Sequence, residues 1–277
     1  MPELPEVETI RGQLDKVLDG KTITEVEVLR AKSFLGDPRI LEGKKIREVK
    51  RKAKVIEIYF EGAREMVIVH LKMTGQMVYV GGHPTVDWIR ELPSKHTRVV
   101  WTFKDRAKLF FNDMRVFGWM KIVDLDEYEK GKRRTIPDVI DEGFSTEYLF
   151  TVLKRSRKPV KLVLLDQDKI GGIGNIYVND ALFLARINPL RASNNLDDVE
   201  TKRLHSAVVK VIKLGIKYGG ASAADEKFVN VFGLGGTYQK HFLVYQKNGQ
   251  KCSECGTAIE KIKLGGRGTF YCPNCQV

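Results

Sequence analysis

The four cysteines all fall after residue 251. Cys252 and Cys255 form one C-x2-C knuckle, sixteen residues follow, and Cys272 and Cys275 form a second. A knuckle brings two thiolates to one ion, and two knuckles complete a tetrahedron with sulfur about 2.3 Å from zinc. Four thiolates leave no open coordination position, so the implied Zn2+ is a single structural ion. Late clustering argues for a metal site in a reducing compartment and against a disulfide framework. Between the knuckles, KIKLGGRGTFY reads as a β-hairpin turned by glycines, with Arg267 at its tip facing a phosphate.

A second segment, Gly172-Ile173-Gly174-Asn175-Ile176-Tyr177, lies between two helical patterns. Its glycines allow close backbone approach, and Asn175 can cap the helix that follows, whose free N–H groups suit a phosphate. Taken alone it also reads as an ordinary tight turn between helices.

These groups need a scaffold. Residues 5–19 read as a helix, with Pro5 in the first turn and Val7, Ile10, Leu14 and Val17 on one face. From about 22 to 124 the pattern is of strands: ITEVEVL, VIEIYF, MVIVHLKM, QMVYV, RVVWTF and KLFFNDM are short and rich in β-branched and aromatic residues. They imply an antiparallel sandwich with the first helix packed on it. Composition turns polar near 125–145, and helical patterns follow at about 146–156, 159–167, 176–186 and 198–218, the last with Leu204, Val208, Val211 and Leu214 on one face. Residues 219–241 are glycine-rich with few apolar anchors, as expected of a mobile loop. The predicted organisation is an α+β chain with an N-terminal domain over 1–130, a linker over 131–145, a helical domain over 146–245 and a zinc finger over 246–277.

A formal net charge of +12 favours polyanionic partners, because each phosphate contact releases condensed counterions. No apolar run approaches the roughly 20 residues of a membrane span. The start, MPELPEVET, is acidic and lacks the apolar stretch of a signal peptide, so a cytoplasmic location is expected.

Three separated segments then converge. PELPEVE at the start, GIGNIY in the middle and the paired C-x2-C knuckles at the end together resemble the bacterial formamidopyrimidine-DNA glycosylase family over essentially the whole chain. Relatives specific for oxidised pyrimidines usually begin PEGPE instead. The resemblance implies a β-sandwich followed by a helix–two-turn–helix domain and a zinc finger. It implies removal of oxidised purines from duplex DNA, with associated cleavage at the abasic site, by a monomer.

It also implies roles. Pro2, freed by loss of Met1, is the nucleophile. Its secondary amine, with a pKa near the roughly 7.7–8.0 of an α-amino group, is partly neutral at pH 7. Glu3 resembles the acid/base group, which needs a raised pKa to act as an acid, while Glu6 serves the helix N-terminus. Lys54 matches the lysine assigned to β-elimination and a flanking phosphate, and Arg267 the arginine assigned to phosphate clamping and δ-elimination. Met73, Arg115 and Phe117 resemble the triad that fills the gap left by an extruded nucleotide. Phosphate contacts are implied at His70, His96, Arg157, Lys161, Asn175 and Tyr245.

The chain departs from the family pattern in places. Met114 replaces a proline before the wedge, Lys72 stands where glycine or arginine is usual, and Asn179-Asp180 replaces Asp-Glu or Ser-Glu. The loop ASAADEKFVNVFGLGGTYQ matches the lesion-reading loop only loosely. An oxidised-pyrimidine glycosylase, a damage-binding protein without chemistry and a zinc-ribbon nucleic-acid module are the competing readings.

Overall fold

The computed structural model describes residues 1–82, 86–132, 136–222 and 228–277. Residues 133–135 of the expected linker and 223–227 of the expected loop lie outside the described residues.

The chain divides into two units, Met1–Thr135 with Tyr218–Thr237, and Ile136–Lys217 with Tyr238–Val277. The first begins with helix α1 (Leu4–Leu18), where Val7, Ile10, Leu14 and Leu18 turn one fully buried face inward. Among the described residues nine strands follow: β1 (Ile23–Val28), β2 (Phe34–Leu35), β3 (Ile46–Lys52), β4 (Val55–Phe60), β5 (Glu65–His70), β6 (Gly75–Val80), β7 (Thr97–Phe103), β8 (Lys108–Asp113) and β9 (Trp119–Asp124). They form two sheets, ordered β1-β7-β8-β6 and β2-β9-β5-β4-β3. Trp101, Phe103 and Phe111 of the first sheet share one core with Ile56, Ile58, Val67 and Val69 of the second and with the buried face of α1. The expected sandwich and its helix are therefore present.

The sequence reading named six strand segments and missed β2, β3 and β9. The β3 residues IREVKRK bury only Ile46 and Val49, and the register shifts between Ile46 and Glu48. A bulge of that kind breaks the alternation by which a strand is recognised. The short β2 also pairs with β9 in parallel, the one such ladder among the described strands.

The polar stretch after 124 is not simply a linker. Helix α2 (Leu125–Lys132) follows β9, and Leu125 and Tyr128 pack on a smaller cluster of Tyr59, Met66 and Ile68. Tyr59 and Tyr128 both donate their hydroxyls to the buried Glu57 carboxylate, at 2.9 and 2.7 Å. Burial and that bond to Glu57 push the Tyr128 hydroxyl pKa far up. On the other side of residues 133–135, Asp138 bridges Gly171 within the second unit.

The second unit contains α3 (Thr146–Lys154), capped by the Ser145 hydroxyl on the Tyr148 N–H, then α4 (Val160–Leu164), α5 (Asn175–Leu184) and α6 (Asp198–Lys217). Leu204, Val208 and Val211 of α6 are buried as the periodicity requires. The chain ends in a hairpin of β10 (Glu260–Leu264) and β11 (Arg267–Tyr271). Gly265 and Gly266 turn it with φ of +57° and +77°, a two-residue connection that L side chains rarely accept.

Tyr218–Thr237, expected inside the helical domain, groups with the first unit, and described residues on either side of 223–227 are anchored there. Phe228 and Val231 are buried in the sandwich core. The Val231 N–H donates to Gln13 Oε1 at 3.0 Å, and its carbonyl accepts the Tyr79 N–H at 2.9 Å. The Ala221 N–H donates to Glu6 Oε1 at 2.7 Å. Gly220 has φ of +82°, and a Cβ there would stand 2.8 Å from Glu6 Cγ. Among the described residues no helix is long and apolar enough to cross a membrane.

Gly220→Ala therefore meets both a forbidden backbone and a clash. It is expected to lower stability by about 1–3 kcal/mol, read as a lower urea midpoint for the first unit.

Candidate functional site

The N-terminal turn is built by α1. Pro2 and Glu3 are buried immediately before it, and Glu3 is its N-cap. The Glu3 N–H donates to Glu6 Oε2 at 2.7 Å, while the other Glu6 oxygen takes the Ala221 N–H. Glu6 thus does serve the helix N-terminus, and it also ties that turn to the segment leading into 223–227.

Lys54 sits in the turn between β3 and β4 and is buried. Arg51 supports this turn, donating to Glu8 at 2.8 Å and to the Ala53 carbonyl at 2.9 Å. His70, opposite Val55 in the adjacent strand, takes the Lys72 N–H on Nδ1 at 3.0 Å. Burial first, then the charges of Lys72 and Lys54, hold the His70 pKa down to about 4. A neutral ring that accepts on Nδ1 carries its proton on Nε2, so His70 offers one donor and no charge.

Met73, Arg115 and Phe117 come together. The Arg115 guanidinium donates to Met73 Sδ at 3.0 Å and lies 4.9 Å from the Phe117 ring centre. Met73 is 44% and Phe117 53% exposed, well above what strand residues of a core would show. His96 is half-buried beside this loop, and its carbonyl accepts the Asp113 N–H.

In the second unit the four cysteine Sγ atoms all lie within 4.8 Å of one another. Cys252 and Cys275 are 3.9 Å apart and Cys255 and Cys272 are 3.5 Å apart. A tetrahedral zinc with bonds of about 2.3 Å separates its sulfurs by about 3.8 Å, so these residues fit one Zn2+. Arg267 is exposed at the hairpin turn, as its place beside two glycines implies.

The structure bears on three expected contacts and on one departure from the family pattern. Lys161 is fully buried, and its ammonium donates to the Gly268 carbonyl at 3.0 Å and the Thr269 hydroxyl at 2.8 Å. It holds the strand that carries Arg267, and a group so enclosed does not present itself to a phosphate. Tyr245 is likewise buried, its ring edge-on to Phe242 and Phe270 at 5.1 and 5.2 Å. Asn175 does not cap α5: Gly174 occupies the N-cap and Asn175 is the first helical residue. Asn179-Asp180 has a local purpose. Asn179 accepts the Phe270 N–H at 3.0 Å, and Asp180 accepts the Val244 and Tyr245 N–H groups at 3.0 and 3.1 Å. Burial pushes the Asp180 carboxyl up to about 6 despite those donors. Arg157 is exposed just beyond α3.

The formamidopyrimidine-DNA glycosylase N-terminal domain family model matches residues 1–120, its H2TH domain model matches 136–227, and a zinc finger found in FPG and IleRS matches 249–277. The chain belongs to the formamidopyrimidine-DNA glycosylase family. A curated formamidopyrimidine-DNA glycosylase from Pelotomaculum thermopropionicum is 38% identical, covering 100% of this chain and 99% of the relative. The crystal structure of MutM (Fpg) from Thermus thermophilus has a TM-score of 0.87 at 34% identity, covering 99% of this chain and 98% of that one. A Lactococcus lactis Fpg in complex with abasic-site DNA has a TM-score of 0.88 at 32% identity, covering 99% of both chains. The α+β fold, the enzyme class and the zinc finger follow from this membership.

Two measurements check the geometry. Denatured protein treated with a mercurial is expected to release about one zinc per chain, and Cys272→Ala to release none. For His70, the unfolded ring at its ordinary 6.5 takes a proton before the folded ring at about 4. The stability contribution is complete above pH 6.5 and is lost as pH falls toward 4, by up to about 3 kcal/mol. His70→Asn, which keeps an acceptor for the Lys72 N–H, is expected to flatten that part of the urea-midpoint profile.

Proposed function

We propose that the chain removes oxidised purines, 8-oxoguanine and formamidopyrimidines, from duplex DNA and then cleaves the abasic strand, with Pro2 as nucleophile. The observation that carries this reading is the buried Pro2-Glu3 pair at the head of α1, in a chain that matches the formamidopyrimidine-DNA glycosylase family over its whole length. While Met1 is attached the Pro2 nitrogen is an amide. Its removal yields a secondary amine with a pKa of about 8, neutral enough to attack near pH 7.

The chemistry follows from that amine. Pro2 N bonds to C1′ as the bond from C1′ to the damaged base breaks, and the base leaves with a proton. Glu3, enclosed and adjacent, delivers a proton to the sugar ring oxygen as the ring opens. A secondary amine has no second proton to lose, so the adduct is a cationic iminium. This electron sink acidifies C2′, a base removes that proton, and the 3′-phosphate leaves. Lys54 assists beside a flanking phosphate, with the neutral His70 as a second donor. Loss of the 5′-phosphate in the second elimination draws on Arg267, whose fork suits a phosphate. Water then releases Pro2.

Extrusion of the nucleotide costs a few kcal/mol, and the exposed group of Met73, Arg115 and Phe117 is suited to fill the gap. Arg157 and His96 supply outer phosphate contacts. The first unit carries the nucleophile and its proton donor, and the second contributes Arg267 and grips the backbone. The chain works as a monomer, and its basic charge keeps it on the nucleoid.

Incubation with an 8-oxoguanine duplex and borohydride is expected to trap a covalent adduct mapping to Pro2. Pro2→Gly should lower lesion-strand cleavage at least tenfold. Trapping at another residue, or Pro2→Gly cleaving as fast as wild type, overturns the reading.

A further inference from the structure

The wedge loop poses a mechanical problem. Met73, Met114 and Phe117 are 44%, 49% and 53% exposed, so apolar packing does not hold this tip. Position 114 carries methionine, which leaves the backbone free to turn. Val116 has φ of +55°, which a β-branched residue resists. Something must impose this conformation, and Phe117 and Arg115 flank the strained residue.

The Asp113 side chain is fully buried directly beneath the loop. Its Oδ1 accepts the Thr74 hydroxyl and the Arg115 N–H, the latter at 3.1 Å. Its Oδ2 accepts the Gly118 N–H at 2.7 Å. The Thr74 oxygen also accepts the Arg115 N–H, at 3.0 Å. The Asp113 backbone is fixed in turn, because its carbonyl accepts the Arg98 Nε–H at 2.8 Å. One carboxylate thus pins both ends of the 114–118 loop and joins it to the turn that carries Met73. Only a carboxylate offers acceptors in both positions. An amide would set its NH2 against at least one of the three donors.

We infer that Asp113 is the positioning residue of the gap-filling tip: its carboxylate holds Arg115 and Phe117 in the shape needed to enter duplex DNA. The inference rests on the proposed glycosylase reading. Asp113 acts through its neighbours and touches no reacting atom. Its effect is confined to substrates in which a gap must be filled. A lesion in a duplex requires the tip, because the extruded nucleotide leaves an opposite base without a partner. An abasic site in a single strand has no opposite base.

The test compares these two substrates under single-turnover conditions, with full-length wild type and Asp113→Asn. Asp113→Asn is expected to slow 8-oxoguanine excision from duplex at least tenfold and single-strand abasic cleavage at most threefold. A merely structural role would lower both alike, and equal losses or no loss on duplex overturn the inference. If Asp113→Asn does not fold, Thr74→Val decides. It keeps the carboxylate, removes one bond at each of two points, and is expected to show the same split at about threefold or more. Wild type that leaves the 8-oxoguanine duplex uncut but cleaves the abasic strand would refute the lesion assignment instead, and Asp113 is then tested on duplex abasic DNA with the same ratio.

Discussion

The Glu6 carboxylate is the interaction on which the first unit's chemistry depends. It is buried, and each oxygen takes a backbone N–H at 2.7 Å, one from Glu3 and one from Ala221. A charge-assisted bond to a buried carboxylate is short and directional, so it fixes two chain segments relative to each other in a way apolar contact does not. One segment carries Pro2 and Glu3, and the other leads into the residues expected to meet the damaged base. Gly220 completes the arrangement, since a side chain there would strike Glu6 itself. Placement of the nucleophile and entry to the loop are therefore parts of one local structure, though 215 residues separate Glu6 from Ala221.

The second unit solves the same problem with different groups. Its exposed Arg267 stands on a two-glycine turn, which by itself would not hold a guanidinium in place. The ammonium of Lys161 and the amide of Asn179 each bond to β11, and Asp180 takes the backbone that leads toward the zinc knuckles. The four thiolates close the far end of the finger around one ion. A Cβ at Gly265 would meet Leu162 of α4 at 2.5 Å, so the turn lies directly on the helix that supplies Lys161. Zinc determines that the finger folds, and these polar anchors determine where its tip points.

This division explains what was legible in the sequence. Residue type and spacing were enough for the zinc site, because four cysteines in two knuckles admit few other uses. The α1 stripe and most strands were legible because burial imposes a period, which the bulged β3 lacks. Met73, Arg115 and Phe117 lie apart in sequence, yet they meet in space because antiparallel pairing aligns the ends of their strands. The resemblance implied a phosphate contact at Lys161, and a lysine has the same letter whether it faces solvent or a carbonyl. Composition was silent on how the neighbouring segments are held for a related reason. Composition reports how few apolar residues a segment has, but Tyr128 on Glu57 and Val231 on Gln13 are held by a few well-placed bonds.

Buried polar residues carry so much of the positioning because of what loops lack. Sheets and helices satisfy their own backbone groups, so apolar packing suffices to stack them. Functional tips are turns whose N–H groups have no ladder, and leaving one buried without a partner costs about 1–3 kcal/mol. A carboxylate beneath a turn removes that cost and selects one backbone path, including the left-handed Val116. Glu6, in the first turn of α1, and Asp113, at the end of β8, both do this, each for a neighbouring segment that lacks a ladder. Desolvating a carboxylate is itself expensive, and the expense is offset only while its donors stay in place. The geometry of each tip and the tolerance for a buried charge are thus the same fact, which ties the shape of the reactive surface to the stability of the unit below it.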